Sequence, residues 1–230
     1  MVTGVPAAVL WDFDGTLVDS HDQWTATWTE MAERRGRSWN DARTRELVGL
    51  GLLDTAQVIA AHFDTGEDTH ALVAEMVSGV AARLRAGVPW RAGARELLDA
   101  IRAESIPCAL VTMSYRRLVE PVLEHLEPDT FAVVVTGDEV DHPKPHPAPY
   151  LAAARALGLE PTTCLAIEDS TTGIVSAAAA GCRVLAAPND HVLDTDVNGA
   201  VVDGLAGIDP AYLRTIMAAG DLRHIPPAKS

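Results

Sequence analysis

The pattern of apolar and polar positions changes period along the chain. Short apolar runs at 7–10, 108–112, 132–136, 164–167 and 182–186 have the length and continuity of strands buried on both faces. Between the later runs, residues 94–103, 115–126, 148–157 and 173–180 place apolar side chains at helical spacing. Strand and helix in alternation predict an α/β fold: a Rossmann-like, three-layer core with a parallel sheet between helices, binding its ligands beyond the carboxyl ends of the strands.

Residues 20–88 follow another rule. Trp24, Trp28 and Met31 lie at i, i+4, i+7, and Leu72, Val73, Met76, Val77, Val80 and Leu84 form a second stripe, with no strand-like run in between. Ser20 and Gln23 have the spacing of a capping box for the first helix. The division expected is therefore a core of residues 1–19 and 89–230 and an inserted helical cap domain of residues 20–88, bounded by Gly15 on one side and by Gly87, Val88 and Pro89 on the other. Two connections predict a cap that hinges as a lid. The tail 221–230 is expected to be loosely held.

Composition narrows the possible partners. With 230 residues, 48% hydrophobic content and a mean hydropathy of +0.09, the chain suits a soluble globular protein. A formal charge of −14 argues against nucleic acid or an anionic membrane as partner, because phosphate backbones demand clustered cations. A small phosphorylated molecule needs only one local cation. Cys108, Cys164 and Cys182 are scattered in apolar runs, which predicts reduced core thiols and a cytoplasmic setting. The start of the chain lacks a leader pattern, no window reaches the length of a membrane span, and a monomer is expected.

The chemistry concentrates at the ends of the predicted strands. Residues 10–20 read Leu-Trp-Asp-Phe-Asp-Gly-Thr-Leu-Val-Asp-Ser. Asp12 and Asp14, two apart where the first strand ends, can face one site, and Gly15 permits a sharp exit. Carboxylates so close repel unless a cation or shared proton intervenes, which implies a divalent metal. Thr112 closes Ala-Leu-Val-Thr, Lys144 sits within His-Pro-Lys-Pro, and Glu168 and Asp169 close Leu-Ala-Ile-Glu-Asp. Any one of these is ordinary at a strand end or on a surface, but their joint order is not.

With these four motifs in sequence, almost the whole chain resembles the haloacid dehalogenase-like hydrolase superfamily, in the branch whose helical cap follows the first motif. The resemblance implies Asp12 as the nucleophile that forms an aspartyl phosphate, and Asp14 as the acid that protonates the leaving oxygen and then activates water. It implies Mg2+ held by Asp12, Asp169 and the backbone carbonyl of Asp14, with Glu168 adjacent or acting through water. Lys144 would neutralise carboxylates and phosphoryl group together, and Thr112 would donate to a phosphoryl oxygen. Ser114 is either a further phosphate contact or the cap of the following helix, and the cap is preferred.

An intact Asp14 favours phosphate esters over carbon–halogen cleavage. The branch resembles both sugar-phosphate phosphatases and β-phosphoglucomutase. Residues 48–54, Val-Gly-Leu-Gly-Leu-Leu-Asp, lie where the mutase carries a phosphate-gripping arginine, and they hold no cation. Hydrolysis of a small phosphorylated metabolite is the expectation, with the mutase as the alternative because Arg34, Arg35, Arg43 or Arg45 could substitute. A non-catalytic phosphometabolite-binding protein is the reading from another class, disfavoured because a binder has no use for Asp14. His142 and His146 have zinc-like spacing, but the prolines at 143, 145 and 147 exclude the helix it requires, leaving loop histidines. Gly49 and Gly51 lack the third glycine of a dinucleotide site. The cap tryptophans read as cap core, and the bulky Trp11 has no functional account.

Overall fold

The computed structural model describes residues 4–47, 50–189, 193 and 195–219. Gly49 and the tail 221–230, on which two expectations rest, lie outside the described residues. The elements run β1 (Ala8–Trp11), α1 (His21–Arg34), α2 (Asp41–Leu47), α3 (Leu52–Phe63), α4 (Thr69–Ala86), α5 (Ala94–Ala103), β2 (Cys108–Val111), α6 (Arg116–Leu123), β3 (Val133–Val135), α7 (Ala148–Leu157), β4 (Cys164–Glu168), α8 (Thr171–Ala180), β5 (Arg183–Ala186), β6 (Gly199–Val201) and α9 (Pro210–Ala218). Among the described residues, no helix is long and apolar enough to cross a membrane.

The strands form one six-stranded parallel sheet in the order β3-β2-β1-β4-β5-β6. The order reverses between β1 and β4, and a sheet of this kind opens a crevice at the carboxyl ends where it reverses. Ala8 and Leu10 face one side, where α7 packs on β2 and β3 and α8 packs on β4 and β5, with Tyr150, Ala153 and Ile174 in the core. On the opposite side α9 packs against β5, β6 and α5. Trp11 is fully buried and lies beside Leu110 and Ile167 in register, so its bulk fills the core. Burial pushes the Cys108 thiol up to about 12, the nearby Trp11 offsetting this only in part. All three cysteines are free and buried.

The chain divides into two compact units. One comprises residues 1–19, 89–116 and 126–230, and the other residues 20–88 together with 117–125. The second unit therefore takes in most of α6, which sequence order alone assigns to the sheet. In that unit α4 packs against α1 and α3. Trp24, Trp28, Trp39 and Phe63 form a run of aromatic contacts with centroids 5.7 to 6.5 Å apart, and Trp28 donates to the Met76 sulfur at 3.3 Å.

Several local expectations change. β1 runs one residue later than its apolar stretch, because Trp11 continues the ladder. The last strand and helix, β6 and α9, were not expected, since Gly199–Val201 is too short a run to stand out. Ser20 forms no capping box: at φ −84°, ψ 0° it has a helical backbone, and its side chain makes no cap hydrogen bond. A capping hydroxyl needs an extended backbone.

Candidate active site

Each strand end delivers its residue to one place. Asp12 extends β1 by donating its N–H to the carbonyl of Ile167 at 3.0 Å, which locks the Asp12 backbone beside the end of β4. Glu168 ends β4 and Asp169 follows it. Carboxylate oxygens of Asp12, Glu168 and Asp169 lie within 4.8 Å of one another, and all three residues are buried. Gly15, at φ +82°, passes so close to Asp169 that a Cβ there would meet the carboxylate at 2.0 Å. Only glycine accepts both this backbone and this approach.

A buried lysine offsets part of the charge of this cluster. Lys144 Nζ donates to Asp12 Oδ1 at 2.7 Å, Glu168 Oε1 at 2.6 Å and the Val111 carbonyl at 2.8 Å. An ammonium has three protons, so all are committed. Burial works against the lysine charge, but the two carboxylates more than offset it and raise its pKa. The carboxyl of Asp169 is pushed up to about 8, by burial first and then by Asp12 and Glu168, with Arg91 and Lys144 opposing. Burial and Asp12 likewise push Glu168 up. Three buried acids against one lysine leave the cluster short of positive charge, and hard oxygen donors suit Mg2+. The residues present fit that ion.

Asp14, Thr112 and Ser114 form the adjoining part. The Ser114 hydroxyl donates to Asp14 Oδ2. Thr112, buried at the end of β2, accepts the Ser114 N–H at 2.9 Å and keeps its own proton to donate. The reading of Ser114 as a helix cap does not hold, because its hydroxyl is spent on Asp14 and α6 begins at Arg116, whose N–H goes to Asp138 at 3.0 Å. All of the residues singled out from the sequence, Asp12, Asp14, Thr112, Ser114, Lys144, Glu168 and Asp169, belong to the sheet-containing unit. His142 and His146 are exposed loop residues whose ring centroids lie 4.6 Å apart, the planes tilted by 40°.

Four supporting residues were not anticipated. Tyr150 donates to Glu168 Oε1 at 2.6 Å and Ser170 to Glu168 Oε2 at 3.2 Å. Arg91 binds the carbonyls of Gly15 and Pro188, tying the loop after Asp14 to the loop after β5. Thr16 reaches Asp169 Oδ1 at 3.5 Å. Tyr150 lies six residues beyond Lys144 on an otherwise apolar face, the one signal that could have marked it.

A model of the family described as haloacid dehalogenase-like hydrolase matches residues 9–187. The chain belongs to this family. The protein CbbY of Rhodobacter capsulatus is 32% identical over 215 residues, spanning 84% of this chain and 90% of that protein. Hexitol phosphatase A of Escherichia coli (strain K12) is 33% identical over 190 residues, spanning 79% and 83%. The crystal structure of CbbY from Rhodobacter sphaeroides in complex with phosphate has a TM-score of 0.79 at 25% identity and covers 90% of this chain and 99% of its own. A β-phosphoglucomutase from Clostridium difficile shares the fold with a TM-score of 0.74 at 21% identity, over 92% and 97%. As a haloacid dehalogenase-like hydrolase, the chain is an enzyme, and its carboxylate cluster stands at the strand ends where the sheet order reverses.

Proposed function

We propose that the chain is a Mg2+-dependent phosphatase that hydrolyses a small phosphorylated metabolite, of sugar-phosphate kind, through an aspartyl phosphate on Asp12. The observation that carries this reading is the pairing of Asp12, held on Lys144, with an Asp14 that is hydrogen-bonded to Ser114 instead of joining the carboxylate cluster. Two neighbouring acids in different surroundings can divide nucleophile from acid–base work. Asp12 and Asp169, with the Asp14 carbonyl and with Glu168 adjacent or acting through water, would hold Mg2+, which supplies charge neutralisation for the phosphoryl oxygens.

In this reading Asp12 attacks phosphorus while Asp14 passes its proton to the leaving alkoxide. Asp14, now a carboxylate, takes a proton from the water that splits the acyl phosphate, and inorganic phosphate leaves with Asp12 restored. Lys144 and the Thr112 hydroxyl meet the negative charge of the transferring group. The phosphatase names of relatives support hydrolysis. The mutase alternative is not favoured, because residues 48–54 contain no basic side chain. The three free, buried thiols suit the cytoplasm.

The test is phosphate release from a panel of phosphorylated metabolites and para-nitrophenyl phosphate, with and without Mg2+. Expected is Mg2+-dependent release that Asp12→Asn lowers by roughly three orders of magnitude or more with the circular dichroism spectrum unchanged. Turnover retained in that folded variant would refute the mechanism.

A further inference from the structure

We propose that Tyr150 is a positioning residue for this reaction: its buried hydroxyl shares the Glu168 carboxylate with Lys144, and so keeps the ammonium on Asp12. The inference rests on the phosphatase reading above. Glu168 Oε1 receives both the Tyr150 hydroxyl and the Lys144 ammonium at 2.6 Å. The same ammonium must serve Asp12 Oδ1 at 2.7 Å. A fully buried carboxylate is a strong competitor for a cation, since nothing else screens it. A second donor on the shared oxygen takes up part of its charge and weakens its hold on the lysine.

Tyr150 is built for this in two further respects. The side chain is fully buried in the apolar cluster under the sheet, where phenylalanine would pack as well, so the hydroxyl is kept for its hydrogen bond. Its ring also lies 5.1 Å from Lys144 Nζ, so one side chain touches both members of the ion pair. The other Glu168 oxygen is held by Ser170, and Gly173 leaves room for the carboxylate on the first turn of α8, where any Cβ would overlap it at 2.0 Å. With both oxygens committed, the carboxylate works by fixing Lys144, a role distinct from direct metal ligation.

The test uses the full chain, Mg2+ and para-nitrophenyl phosphate. Tyr150→Phe removes one oxygen and keeps the packed ring, and near-ultraviolet circular dichroism checks the fold. Expected is a fall in kcat of about tenfold with KM within about twofold, the size of effect usual for partners one shell out. If Tyr150 acts through Glu168, the same exchange made on a Glu168→Ala background, where no acceptor is left for the hydroxyl, changes kcat by less than about twofold. A Tyr150→Phe enzyme with unimpaired kcat, or an equal loss on both backgrounds, overturns the inference and leaves the phosphatase reading standing. A wild-type chain that releases no phosphate overturns both.

Discussion

The two units handle charge in opposite ways. At the strand ends of the sheet, Asp12, Glu168, Asp169 and Lys144 are buried, and the lysine side chain keeps only 4% of its surface. In the helical unit, Arg34, Arg35, Glu67 and Glu75 form a network at the surface, with side-chain exposures from 13% to 55%. A surface network adds modest stability, whereas buried charge costs more than it returns unless every partner is in place. The buried cluster is therefore the part of the molecule whose composition is explained by chemistry, and the exposed network is explained by folding.

The sharpest way to break this contrast is Lys144→Met. It leaves two buried carboxylates without their cation, and a loss of about 3–5 kcal/mol is expected in urea unfolding without Mg2+, together with loss of turnover. A variant as stable as the parent would mean that the buried carboxylates do not depend on this cation. The second test is pH. Because Asp169 is pushed up to about 8, the metal-free fold holds its proton more tightly than the unfolded chain does. Its contribution to stability is thus present at acid pH and lost as pH rises through about 8. Mg2+ should reverse that loss, and its binding should release protons. Calorimetry in two buffers of different ionisation enthalpy reads this directly, and equal heats would contradict it.

The smallest effect belongs to the helical unit. Arg35 binds both Glu67 and Glu75, and this hydrogen bonding holds the Glu67 carboxyl down to about 2. Arg35→Met should lower stability by about 1–2 kcal/mol with kcat unchanged. Here the sign is the reverse of Asp169. The network's contribution is present at neutral pH and fades as pH falls from the usual carboxylate range towards about 2. Thermal unfolding of wild type and variant should converge at low pH.

How far the sequence disclosed this molecule depended on the reach of each signal. Strands buried on both faces read clearly because nearly every residue is apolar, and motifs at their ends followed from chain order. β6 escaped because its three residues have a pattern only beside β5. The cap reading of Ser114 failed because a hydroxyl one hundred residues distant from Asp14 in the chain turns to that carboxylate. Arg91, Tyr150 and Ser170 were invisible for a similar reason: their roles are hydrogen bonds to partners brought near only by the sheet. Residues 117–125 show the same limit at domain scale, since helix periodicity does not say which unit a helix will join.

The backbone near Gly15 decides how much change residues 20–88 can absorb. Asp19 donates to the Pro89 carbonyl at 2.9 Å, Arg91 to the Leu17 carbonyl at 3.0 Å, and Val18 bridges to Trp90. Residues 20–88 thus depart and return through one stitched pair of segments, and they close a loop whose ends are already held together. Lengthening or rewriting such a loop costs little entropy. Residues 20–88 can therefore be lengthened or rewritten while the strand-end carboxylates keep their anchors, so that whatever this segment recognises is free to change without disturbing the chemistry.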